Sequence, residues 1–431
     1  MKTRVLVGAM LALGAALSLA VGASASRSVL PSSSCGPVQY KGAGKPQALI
    51  ASDLPLQGAG RSQTVQMTKA INYILAKHNY KAGKWTIGYQ SCDDATPQAG
   101  KWDSGKVSAN AQAYAADKSV VGVIGTFNSG AAAIMIPILN RAPGGPVAMV
   151  SPANTYVGLT HAGPGTAPGE PAKYYPTGKR NYVRVVAADD FQGAANAVLA
   201  KMLGKKSVYI LNDKEAYGLG VATNFKNALT NPEIGIKVAG FESWDPAATT
   251  YEALATKIKQ SGADAVFIGG LICENGGKLV KDLSAGLGAG VQLMAPDGFT
   301  PISAVVEGAG SGAEGLTVSV AGLPNKQLKG AGKAFITGFG KAAGGEPDPY
   351  SVYAAQATEV LLAAIARSDG SRGSISAELF KTKVKNGLLG SFTINKNGDT
   401  SSNPVAIYRV KGGKSTDFKV IVPPLTLVAA S

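Results

Sequence analysis

Two loops hold the side chains best placed to do chemistry. An apolar run at 120–124, read as a buried strand, opens into Gly125-Thr126-Phe127-Asn128-Ser129-Gly130. A helical stretch at 131–140 follows, and a second apolar run at 146–150 ends in Ser151-Pro152-Ala153-Asn154-Thr155. Ser129, Ala153 and Thr155 therefore gather beyond the ends of two neighbouring strands. Open α/β sheets bind ligands beyond the carboxyl ends of their strands, and helix N-termini there point free N–H groups at anions. The chemistry such a set offers is recognition of a carboxylate. Ordinary helix capping also accounts for hydroxyls after strands, so both readings stand on these residues.

Other chemistries find little support. The chain has two histidines, His78 and His161, and neither lies in a motif with a nucleophile or metal ligands. No serine sits in a Gly-x-Ser-x-Gly elbow. The sequence is read as a binder with no cofactor and no metal, and not as an enzyme. Gly310-Ser311-Gly312-Ala313-Glu314-Gly315 matches a dinucleotide fingerprint in spelling, but it follows a predicted helix and precedes a strand, the reverse of what pyrophosphate binding needs. Asp93 and Asp94 are read as a turn or cap before Ala95-Thr96-Pro97-Gln98.

The elements that position these loops alternate. Strand 47–52, helix 62–78, strand 84–91 and helix 104–117 precede the two loops. A second series starts with strand 182–186 and helix 191–203 and runs to strand 316–320. Helices at 329–341, 351–367 and 375–385 come next, then antiparallel strands at 391–395, 405–410 and 418–422. This alternation predicts an α/β fold with two doubly wound parallel sheets. The Gly- and Pro-rich stretch from Gly158 to Arg180 is a long loop with no assigned role.

The two loops, with Asn212-Asp213-Lys214-Glu215-Ala216-Tyr217-Gly218 and Ala295-Pro296-Asp297-Gly298, resemble type I periplasmic binding proteins of the Leu/Ile/Val-binding class. The resemblance implies two lobes joined by a three-crossing hinge near Ala187, Gly322 and Pro404. One lobe would hold 46–186 and 323–403, the other 187–322 and 404–431. It implies that Ser129, Ala153 and Thr155 hold a ligand carboxylate, that Tyr217 covers the ligand and that Asp297 holds its ammonium. Glutamate is the usual acid in the family, so the shorter Asp297 keeps an amide, urea or aromatic carboxylate open as the ligand. Leu54, Phe127, Leu271 and Ile272 fall around the implied cleft, where an apolar set suits a small amino acid with an aliphatic, branched side chain. The implied partners are that ligand and the permease of an ABC importer, with the protein itself a monomer.

Composition sets the outer bounds. The 431 residues carry a net charge of +15, but the lysines are scattered and not interleaved with aromatics, so no nucleic-acid partner is expected. Residues 1–25 have the basic start, apolar run and Ala23-Ser24-Ala25 ending of a signal peptide, which places the protein outside the cytoplasmic membrane. Residues 26–45 read as a polar tether. Lipidation at Cys35 is not expected after Ser32-Ser33-Ser34. Cys35, Cys92 and Cys273 allow at most one internal disulfide, and the sequence leaves the pair open.

Overall fold

Strands with both faces covered read as unbroken apolar runs, and they organise two separate parallel sheets here. The computed structural model describes residues 30, 31 and 33–428, so the expected signal peptide lies outside the described residues. The first sheet runs Lys81–Ala82, Trp85–Asp93, Ala48–Leu54, Val120–Gly125, Ala148–Ser151, Tyr182–Arg184, parallel except at its first short strand. The second runs Lys237–Ser243, Ser207–Asn212, Ala265–Gly269, Gln292–Ala295, Thr317–Val320, Val405–Lys411, Lys414–Ile421, and its last two strands are antiparallel. Register brings Asp53 opposite Gly125 in the first sheet, so the loops after Leu54 and Gly125 leave the same edge.

The chain passes between the lobes three times. After Tyr182–Arg184 it starts helix Asp189–Met202, which packs on Ala216–Thr230 of the second lobe. After Thr317–Val320 it returns to form helix Tyr350–Arg367, packed on Arg61–Lys77 of the first. It then crosses again to Val405–Lys411. A buried ion network braces the first and third crossings. Arg184 donates from Nε to Asp399 at 2.7 Å and from Nη1 to the carbonyls of Asn154 and Tyr156. His161 lies 3.2 Å from both Asp399 and Asp190, the latter in the helix that opens the second lobe.

Two stretches differ from expectation. The segment read as a tether is fastened instead: Cys35 is bonded to Cys92, Gln39 pairs with Tyr89, and the Leu30 side chain is buried. Main-chain pairing with the sheet's edge and a covalent link outweigh its polar composition. The helix expected over 375–385 stops at Leu379, and Lys383–Gly387 pairs with Gly390–Thr393. Thr382 and Val384 turn inward while Lys383 and Lys385 face solvent, a period of two that fits a strand.

The long loop is also built. Tyr156 and Tyr174 donate their hydroxyls to Glu170 at 2.6 and 2.5 Å, and the Pro164 carbonyl accepts from Asn224 of the second lobe at 3.0 Å.

Two predictions follow from the fastened arm and the hinge network. The disulfide closes a loop with a sequence separation of 57, so Cys35→Ala/Cys92→Ala should lower unfolding free energy by about 2–4 kcal/mol in a denaturant titration. Burial draws the His161 pKa down, but Asp190 and Asp399 outweigh it and hold the pKa at about 9. A raised pKa stabilises the fold while the ring is charged, so this contribution should be complete below about pH 6.5 and lost as pH rises through about 9. A pH series of melting temperatures should lose that slope in His161→Gln.

Candidate functional site

The edge where both sheets present their loops gathers most of the expected residues. Ser129 is the first residue of helix Ser129–Asn140 and is buried; its Oγ accepts from Tyr156 N at 3.3 Å. The hydroxyl proton is left to donate elsewhere. Ala153 is buried, with its N–H on the Ser151 hydroxyl at 3.2 Å. The Thr155 hydroxyl is buried and makes no hydrogen bond. Its carbonyl accepts from Asp189 N at 2.8 Å, which brings the first crossing against this loop.

Across the cleft, Asp297 is already well supplied. Its Oδ1 accepts from Gln192 Nε2 at 2.7 Å and from the Tyr217 hydroxyl at 2.5 Å, and its Oδ2 from the Tyr350 hydroxyl at 2.6 Å. The Tyr217 oxygen in turn accepts from Gly298 N at 2.8 Å. A β-carbon at Gly298 would stand 2.6 Å from the Tyr217 ring, so this approach needs glycine. Tyr350 belongs to the first lobe, hence its bond to Asp297 spans the cleft. Burial raises the Asp297 pKa, and the three donors counter it.

Asp189 is the opposite case. Both carboxylate oxygens are buried without a hydrogen-bond partner. Burial pushes its pKa well above the usual carboxylate range and the charge of Asp297 adds to this, while the nearby Thr155 hydroxyl relieves it without completing a hydrogen bond. Arg184 also lies close enough to help, but its donors are committed to Asp399 and the 154–160 loop. A buried carboxylate without donors is costly unless it is neutralised or meets a cation.

The apolar residues divide. Phe127, Leu271 and Ile272 line the mouth with Trp102, and Phe127 meets the Tyr350 ring edge-on at 5.5 Å. The free space there is about 20 Å³, the room of about one water. Leu54 does not reach it: the residue is fully buried at the strand end, and Pro55 and Gln57 stand at the mouth instead. Asp93 behaves as the expected turn, accepting from Ala95 N at 2.8 Å, whereas the helix that follows is capped by Asp103. Asp94 is neither turn nor cap, with its carboxylate buried and unpaired.

Sequence reading missed Asp189, Gln192 and Tyr350. Asp189-Asp190 at a helix start reads as ordinary support for the helix dipole, and nothing local shows that Asp189 meets Thr155 and Asp297. Tyr350 follows Asp348-Pro349 far along the chain, and only the second crossing returns it to the cleft.

The fold and this site define a protein of two α/β lobes with a cleft between them. The periplasmic binding protein family matches residues 50–415, and the chain belongs to that family. It is similar to an amino acid binding protein of Pseudomonas aeruginosa, 29% identical over 227 residues, 52% of this chain and 59% of that relative. The match therefore spans little more than half that relative's length. The Leu/Ile/Val-binding protein BraC3 of Rhizobium johnstonii is 30% identical over 375 residues, 84% of this chain and 90% of that protein. Among solved structures, the leucine binding protein LivK of Thermotoga maritima superposes with a TM-score of 0.74 at 26% identity, covering 87% of this chain and 99% of that one.

The unpaired acid gives a stability prediction. A folded-state pKa above the unfolded value means that stability falls as pH rises from the unfolded value, about 4, towards the folded one. Asp189→Asn should remove that contribution, so the ligand-free variant should be at least as stable as wild type at neutral pH and less pH-sensitive in urea titrations.

Proposed function

We propose that this protein is the extracytoplasmic solute-binding component of an ABC importer, that it binds an α-amino acid between its lobes and hands it to the permease, and that it catalyses no reaction. The observation that carries the amino-acid reading is the pair of buried groups left unspent on one edge of the cleft, the Asp189 carboxylate and the Thr155 hydroxyl. Ser129, at the N-terminus of its helix, offers a hydroxyl to a ligand carboxylate, with the helix dipole behind it. Asp189 receives the ammonium, and Asp297 adds its field from the second lobe. This divides the expected role of Asp297, because its oxygens already accept three side-chain hydrogen bonds.

Charge also weighs between ligand classes. An aromatic carboxylate would meet Asp189 and Asp297 with no cation of its own, and an amide or urea would leave Asp189 without a counter-ion. Phe127, Leu271 and Ile272 favour an aliphatic side chain, branched-chain amino acids among them. The names of the similar relatives point the same way.

Thermal-shift screening of L-leucine, L-alanine, acetamide, urea and benzoate tests the reading, since a ligand of the folded state alone raises the melting temperature. An amino acid should give the shift; a shift with benzoate alone would refute the proposal. Against the amino acid that binds, Asp189→Asn should cost about 3 kcal/mol, roughly a hundredfold in Kd. Asp297→Asn should cost less, about 1–2 kcal/mol, because it keeps donors and lies in the second rank of charge. Calorimetry reads both, and the reverse order would return the ammonium to Asp297.

A further inference from the structure

Lys101 is presented by a short ladder of the first lobe, in which Ala95–Thr96 pairs with Lys101–Trp102. Its ammonium reaches over the mouth to two carboxylates of the second lobe. It forms an ion pair with Glu274 and lies 3.9 Å from Glu215. The Glu274 side chain is only 6% exposed and that of Glu215 23%. Among the described residues, neither acid has another ion pair.

Both acids are firmly placed. Glu274 sits in the irregular turn Ile272–Gly276, where Asn275 has φ of 60° and the Trp244 indole donates to the Glu274 carbonyl at 2.8 Å. Glu215 directly precedes helix Ala216–Thr230, two residues before Tyr217, and donates its N–H to Asp213 at 3.0 Å. Burial raises the Glu215 pKa and the charge of Glu274 raises it further, with Lys101 the counterweight. Asp213 and Cys273 also face this group. Bringing the lobes together buries two like charges, which is unfavourable unless a cation arrives with the first lobe.

We propose that Lys101 is a positioning residue for closure: it carries across from the first lobe the positive charge that lets Glu274 and Glu215 of the second lobe be buried at the mouth. The proposal rests on the reading of a cleft that closes on its ligand. Closure is thereby linked to ionic strength and to the helix that carries Tyr217.

Small-angle scattering of the ligand-free protein, in about 20 mM and about 1 M salt, tests it without reference to any ligand. Wild type should widen as salt rises. Lys101→Met should be wide at both concentrations, and Lys101→Arg should behave as wild type. In stopped-flow release of L-leucine, used as the probe, Lys101→Met should dissociate about tenfold faster. Identical scattering of wild type and Lys101→Met at low salt would overturn the proposal, as would a wild-type profile indifferent to salt. Failure of wild type to bind L-leucine would count against the amino-acid reading alone, and the scattering comparison would still decide the role of Lys101.

Discussion

A carboxylate buried without a donor is the constraint around which this cleft is arranged. Asp189 could be hydrated if it lay a turn further out, or paired if Arg184 were not already committed to Asp399. It is held inward because its own N–H is bound to the Thr155 carbonyl and it begins the helix that leads into the second lobe. The cost falls on the first crossing, where the two lobes are joined. Under the proposed reading, an ammonium bound there relieves a penalty already present in the folded chain, so part of the binding energy comes from the protein itself. Asp297 shows the contrasting solution, an acid made tolerable by two tyrosines and a glutamine.

Several polar contacts span the lobes. Tyr350 to Asp297, Gln63 to Thr300 and Lys101 to Glu274 all join a first-lobe residue to a second-lobe residue. The strap at 158–180 adds the Pro164 carbonyl, held by Asn224. Apolar contact between the lobes is found at the mouth, where Phe127 and Trp102 stand with Leu271 and Ile272, and at Ala216 against the first-lobe core. Polar contacts separate with little exposure of hydrophobic surface, and the three crossings and the Arg184-Asp399-His161 network join the lobes beside them.

The sheet order was legible because parallel strands buried on both faces advertise themselves; 120–124, for example, is apolar throughout and ends at a glycine. The positions of the two loops were legible for the same reason, since strand ends fix where Ser129 and Thr155 emerge. What could not be read was which distant residues meet. Asp189, Tyr350 and Thr155 come from three parts of the chain, and their meeting depends on crossings that leave no local pattern. Leu54 was misplaced by a single step along a strand, where side chains alternate between faces and Pro55 turns the chain towards the mouth. The tether failed as a reading because composition reports solvation, while a disulfide and a main-chain bridge act regardless of it.

The basic excess of the whole molecule is not repeated in the cleft. The chain carries 42 basic and 27 acidic residues, yet the cleft and its mouth collect Asp189, Asp213, Glu215, Glu274 and Asp297 against Lys101. Scattered surface lysines are screened over about 8–10 Å of saline, whereas acids between low-dielectric walls act on whatever enters. Under the amino-acid reading proposed above, the field of these acids turns an approaching zwitterion with its ammonium inward. On that reading the ligand carboxylate meets the Ser129 helix terminus, which supplies partial positive charge without a basic side chain. Arg184, the basic side chain near Asp189, is committed to Asp399 and the 154–160 loop, which on that reading leaves Asp189 to the ligand.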